Sequence, residues 1–205
     1  MRLIPPLYAK AYVRGNKTDP ADAEAICEAV SRPWMRFVPI KSAADQAMAS
    51  VHRVRERLIG QRTMVQNMLR GQMAEFGIIA AKGAWHVKEL VARLEDPDSL
   101  PEPLRLVLLG LGQVLAELDR QIAAIDARIM AWHKANRKSH DLATIPGFGP
   151  ILSSAMAVRV AQPERFAGGR DLAAWIGLVP KQASSGDTIR LGRISKKAMS
   201  ICAAS

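Results

Sequence analysis

Residues 42–76 read SAADQAMASVHRVRERLIGQRTMVQNMLRGQMAEF, a stretch without proline and with only Gly60 and Gly71 to weaken a helix. Apolar Met48, Val51, Val54, Leu58, Val65 and Leu69 recur at three- and four-residue steps and multiples of them, while His52, Arg53, Arg55, Arg57, Arg62 and Arg70 fall on the other side. That period predicts one long amphipathic helix, with Gly77 placed to terminate it. A second such segment runs from Leu104 to Ala135, its stripe made by Leu108, Leu111, Leu115, Leu118, Ile122, Ile125 and Ile129. Between them lies a shorter helix, Trp85 to Leu94, punctuated by Asp96-Pro97-Asp98 and Leu100-Pro101-Glu102-Pro103. Two long helices joined by an elbow predict an antiparallel pair or a coiled-coil arm, and either would support a homo-oligomer.

Toward the N-terminus, Pro5 and Pro6 predict irregular or extended chain over residues 1–18. Asp19-Pro20-Ala21-Asp22 then starts a helix, with Asp19 as the expected N-cap, Pro20 at N1 and Asp22 at N3. The helix ends near Ser31-Arg32-Pro33, and WMRFVPI (34–40) reads as a short β-like segment. Toward the C-terminus, ANRKSHD (135–141) reads as a basic, polar linker carrying a domain boundary. A small C-terminal domain begins at about Leu142. Hydrophobic residues make up 49% and aromatics only 5% of the chain, a core of Leu, Ile, Val, Met and Ala that favours a mainly α fold.

Lys and Arg total 29 against 19 acids, a net charge of +10 and a pI near 10.1. Such an excess points to a polyanionic partner, nucleic acid before an anionic membrane surface. Cys27 and Cys202 stand apart from each other and from the histidines, which excludes a zinc cluster or disulfide framework. No segment approaches the roughly 20 apolar residues that cross a bilayer, and MRLIPPLYAK has no signal-peptide pattern. The expected location is the cytoplasm, at the nucleoid. His52, His86, His133 and His140 lack metal-binding spacing, and Trp34, Trp85, Trp132 and Trp175 read as core residues.

Three motifs could carry chemistry. Thr144-Ile145-Pro146-Gly147-Phe148-Gly149-Pro150, leading into a small-residue helix, has the pattern of a helix-hairpin-helix whose turn amides and helix dipole face a phosphate. The same stretch also reads as a plain turn between packed helices. Asp19 and Asp22, three apart at a helix start, present two carboxylates to one side, as divalent cations require; both are equally good helix-start acids. Ser184-Ser185-Gly186-Asp187 lies between Lys181 and Arg190 and reads as a polar turn or as a nucleophile in a basic loop. Arg190, Arg193, Lys196 and Lys197 read as phosphate contacts either way.

In order and spacing, KTDPADAEAICEAVSRPWMRFVPIKS, LATIPGFGPILSSAMAVRV and FAGGRDLAAWIGLVPKQASSGDTIRLGRISK together resemble the DEDD transposases of bacterial insertion sequences, the Piv/MooV-like group. The resemblance runs from about Leu3 to Lys197. It implies that residues 1–40 are the end of a RuvC-like nuclease domain, 41–137 a coiled-coil region and 138–205 a transposase domain. It implies that Asp19 and Asp22, in a Lys-x-Asp-x-x-Asp-Ala pattern with Lys17 and Ala23, are two of four acids that bind Mg²⁺. It makes Ser185 the residue that attacks DNA, with a structured guide RNA as a further partner. The family's first Asp and its Glu have no counterpart after Met1, and KAMSICAAS departs from the family's end. The expectation is therefore an incomplete copy that binds DNA, binds Mg²⁺ only if the missing acids are supplied, and does not cut unaided. The alternative is a non-catalytic nucleic-acid-binding and dimerisation remnant.

Overall fold

The computed structural model describes residues 3–13, 15–16, 18–35, 37–81, 83–160, 162–183 and 190–194. The two long segments are helices as expected: α3 is Ala43–Ala74 and α5 is Glu102–Ala135, each about 50 Å long at 1.5 Å per residue. They pack antiparallel. Two ion pairs fix the register, Arg55 with Asp126 and Arg62 Nη1 with Asp119 Oδ1 at 3.1 Å, seven residues on along one helix and seven back along the other. These part-exposed pairs contribute about 0.2–1 kcal/mol each, so they select alignment more than they stabilise it.

Ser42 caps α3, its Oγ accepting from the Asp45 amide at 3.0 Å. Gly77 ends the same helix at φ +76°. The Gly77 amide donates to Ala74 O and the Ile78 amide to Met73 O, both at 3.0 Å, the paired bonds that a left-handed glycine makes possible. The chain then turns into α4 (Ala84–Arg93). Val87, Leu90 and Leu94 of this elbow share a core with Val65, Leu69 and Met73 of α3 and Leu108, Leu115 and Leu118 of α5. A second, smaller core closes the other end of the rod, where Met48 and Ile129 meet Val158.

The N-terminal region departs from expectation. Pro6–Lys10 forms a short helix, α1, because a proline in a helix's first turn lacks only an amide that would be unpaired there anyway. Helix α2 spans Asp19–Ser31, and its N-cap is Thr18, whose Oγ1 accepts from the Ala21 amide at 3.4 Å. Asp19 therefore sits at N1 and Asp22 at N4. Thr18→Ala is expected to cost about 1 kcal/mol, read as roughly fivefold faster amide exchange in the first turns of α2; a larger effect from Asp19→Ala would restore Asp19 as the cap. Among the described residues of 34–40, the β-like reading reduces to a single bridge, Val38 N to Leu3 O at 2.7 Å. ANRKSHD is not an irregular linker: Arg137–Leu142 is a helix, α6, capped by Asn136.

The remainder is α7 (Pro150–Arg159), a 3-10 turn at Pro163–Arg165, α8 (Gly169–Ile176) and a hairpin of β1 (Pro180–Gln182) and β2 (Leu191–Ile194). Helix thus dominates and strand is scarce. No helix among the described residues is long and apolar enough to cross a membrane.

Candidate nucleic-acid interface

Asp19 and Asp22 lie on the first turn of α2, Asp19 exposed and Asp22 half-buried. Residues three apart on a helix are surface neighbours, so the two carboxylates share a side as the spacing requires. Among the described residues neither enters a salt bridge, and no group of three or more His, Cys, Asp or Glu gathers anywhere. Mg²⁺ demands near-octahedral oxygen coordination. Two side chains fall short of a complete site for it.

The second group is the turn between α6 and α7. Ile145 O accepts from the Phe148 amide at 3.0 Å, with Pro146 and Gly147 between them and Gly147 at φ +86°. A side chain would strain that conformation. Pro146, Gly147 and Gly149 are all exposed, and no side chain caps the start of α7. The first amides of a helix have no partner within it, so they are available to an anion at this end. Two buried histidine–serine contacts fix the turn to the rod. His133 Nδ1 of α5 lies 2.7 Å from Ser139 Oγ of α6, and His52 Nε2 of α3 lies 3.2 Å from Ser154 Oγ of α7.

The third group is the β hairpin. Lys181 lies in β1, Arg193 lies in β2, and Arg190 precedes β2 with its carbonyl accepting from the Ala183 amide at 2.9 Å. Arg190 and every residue of β2 are exposed. Of the expected phosphate contacts, Arg193 thus stands on a strand and Arg190 directly before it. Ser185, Lys196 and Lys197, with Ser184 and Lys17, lie outside the described residues.

Each of these groups is local in sequence. One feature needs distant stretches together: a cleft of about 760 Å³ among the N-terminal region, α3, α7 and α8. Lys41, Arg53, Arg159 and Arg165 line it, with Tyr8, Phe37, Phe166 and Trp175 as its aromatic walls. The Lys41 ammonium is held below its ordinary pKa, first by burial and then by the neighbouring Arg159 and Arg53 guanidiniums. His52 also lines it. That residue was expected on the charged face of α3 but is 2% exposed. Burial, reinforced by Arg55 and Arg159, pushes its pKa down to about 4, so its imidazole is neutral near pH 7. Sequence reasoning did not assign Lys41, Arg159 or Arg165, because no spacing rule links residues that only the tertiary fold collects. The tryptophans were misread too: Trp34, Trp85 and Trp175 are 69%, 71% and 46% exposed, not core.

Residues 139–201 match the Transposase IS116/IS110/IS902 family, and residues 2–78 match a DEDD transposase family of IS110 type. Among curated proteins the chain is similar to two provisionally named transposases. One, from Sinorhizobium fredii, is 46% identical over 96% of this chain and 51% of its own length. The other, of family 20 and from Pseudomonas aeruginosa, is 44% identical over 96% of this chain and 59% of its own. The transposase for insertion sequence element IS1328 of Yersinia enterocolitica is 36% identical over 96% and 59%. The chain thus spans between half and three-fifths of the length of these relatives.

Proposed function

We propose that this chain, which belongs to the IS110/IS116 family of transposases, is a part of such an enzyme that holds DNA by its sugar-phosphate backbone. The observation that carries this reading is the start of α7, which no side chain caps, behind an exposed turn at Pro146–Gly147 and an exposed N-cap glycine, Gly149. That turn faces solvent in a chain of net charge +10. Turn amides and a helix dipole suit a phosphate and read no sequence. Arg190 and Arg193, with Lys181, Lys196 and Lys197, add cations in the same C-terminal region.

The finer parts of the reading rest on the family resemblance. The α6–turn–α7 unit acts as a helix-hairpin-helix. Asp19 and Asp22 offer two of the oxygens that Mg²⁺ would take, further acids being supplied from elsewhere. Ser185 is the hydroxyl that attacks a DNA phosphodiester, its oxygen bonding phosphorus as a strand oxygen leaves. A structured RNA guides the choice of DNA, and copies associate through the long helices. A second reading is that this stretch holds nucleic acid without cutting it.

Fluorescence anisotropy with a labelled duplex tests the first reading. With about four phosphates neutralised, affinity should fall about 100-fold between 50 and 200 mM salt. Arg190→Gln with Arg193→Gln should flatten the logarithmic salt slope by about two. No binding at 50 mM salt would overturn the proposal. Nicking of supercoiled plasmid with Mg²⁺ separates the cutting reading from the holding one.

A further inference from the structure

We propose that the cleft between the N-terminal region, α3, α7 and α8 seats a single strand of DNA. A phosphate would lie against Lys41, Arg53 and Arg159, and an unpaired base against Trp175 and Phe166. The proposal rests on the DNA-holding function and adds a second mode to it, since the α7 turn suits a duplex backbone. Size is the first argument. The cleft's volume of about 760 Å³ falls in the range of small-ligand sites, enough for about one or two nucleotides and far too little for a duplex.

Charge is the second argument. Among the described residues that line the cleft four are cationic and one, Asp171, is an acid. Its Oδ2 already accepts from the Ala167 amide at 3.2 Å. Asp45, the acid that acts on Lys41, accepts from Ser42 Oγ at 2.7 Å. Lys41 and Arg159 are half-buried and Arg53 is exposed beside them; cations brought together in this way repel one another, and a phosphate lying between them would relieve that repulsion. The walls are the third argument. Trp175 is 46% exposed although it stands edge-to-face with Phe166 at 5.6 Å. An exposed indole beside gathered cations is the combination with which proteins hold unpaired bases, stacking on the ring while cations take the backbone. A duplex offers no free base to such a wall. An acidic peptide would satisfy the cations but leave the rings without a stacking partner.

The test uses the full chain at low salt with a fluorescein-labelled ten-nucleotide thymidine oligomer, the uridine oligomer of equal length, and a blunt duplex. The thymidine oligomer should bind and quench tryptophan fluorescence, and Trp175→Phe should remove most of the quenching. Trp175→Ala should weaken its binding about 5- to 100-fold, the range of one base–aromatic stack. Arg53→Gln, at an exposed position, should weaken it about 3- to 10-fold. Duplex affinity should hold within twofold in both variants. Thymidine-oligomer binding that neither variant alters would overturn the cleft assignment and leave the duplex-holding function intact. Tenfold preference for the uridine oligomer would overturn the DNA assignment, as would equal competition by an oligoglutamate peptide. Binding of none of these nucleic acids would overturn both the cleft proposal and the function it rests on.

Discussion

Leu69→Ala is expected to destabilise the protein by about 3–4 kcal/mol and to lower its melting temperature by about 10 °C. Leu69 is 0% exposed at the centre of the larger core, where α3, α4 and α5 meet. Shortening it removes the transfer energy of the lost methyl groups and leaves a cavity among neighbours held on three helices, a change that costs about 2–5 kcal/mol in well-packed cores. For a chain of this length each kcal/mol moves the midpoint by roughly 2–4 °C. The control is Val54→Ala on the same helix. Its position in the sequence stripe matches that of Leu69, but the side chain is 51% exposed, so its cost should stay within about 0.5 kcal/mol. Thermal melts of the two variants side by side would show near-equal shifts if sequence period alone decided burial. A loss below about 1 kcal/mol at Leu69 would mean that α3 and α5 are not paired in this register.

The contrast between Leu69 and Val54 marks where sequence stopped being legible. Both long helices, the elbow helix and the Gly77 terminator were readable because helical period and termination are set within a few residues. The outer turns of a stripe depend on what packs against them. His52 sits one position from Val51 and was placed on the polar face, but α7 comes down on that side of α3 and buries it. Thr18 and Asp19 are both good caps, and only the entry path of the chain decides between them. ANRKSHD carries the composition of a linker, and its helix depends on Asn136 capping α6 and on Ser139 reaching His133. The candidate site divides the same way. The Asp pair, the proline-glycine turn and the basic hairpin were visible as local strings. The cleft was not, because Lys41, Arg53 and Arg159 come from two helices and the chain before them.

Acidification from pH 7.5 to pH 4 is expected to remove about 3 kcal/mol of stability through His52 alone. Its pKa falls from 6.5 in the unfolded chain to about 4 in the fold, because burial and then the Arg55 and Arg159 charges disfavour the imidazolium, with Asp126 opposing them. Each pKa unit is worth 1.36 kcal/mol. The sign follows from proton uptake. Above about pH 6.5 both states hold a neutral ring, and the stability is fully present. Between 6.5 and 4 the unfolded chain takes up a proton that the folded one refuses, so stability drains away as pH falls. Below 4 both are protonated, and no further loss comes from this residue. The chain's carboxylates titrate in the same region, so the informative quantity is the difference between wild type and His52→Gln, followed as the urea midpoint at each pH. Glutamine keeps a polar group facing Ser154 Oγ and cannot titrate. Its curve should run parallel to wild type above pH 6.5 and lose less below it; parallel curves throughout would show that His52 is not held neutral by the fold. A bound phosphate beside Arg159 would offset one of the cations that depress His52. Oligonucleotide in the cleft should therefore shift the wild-type curve at pH 5 more than it shifts the curve of His52→Gln, tying the floor of the cleft to what the cleft holds.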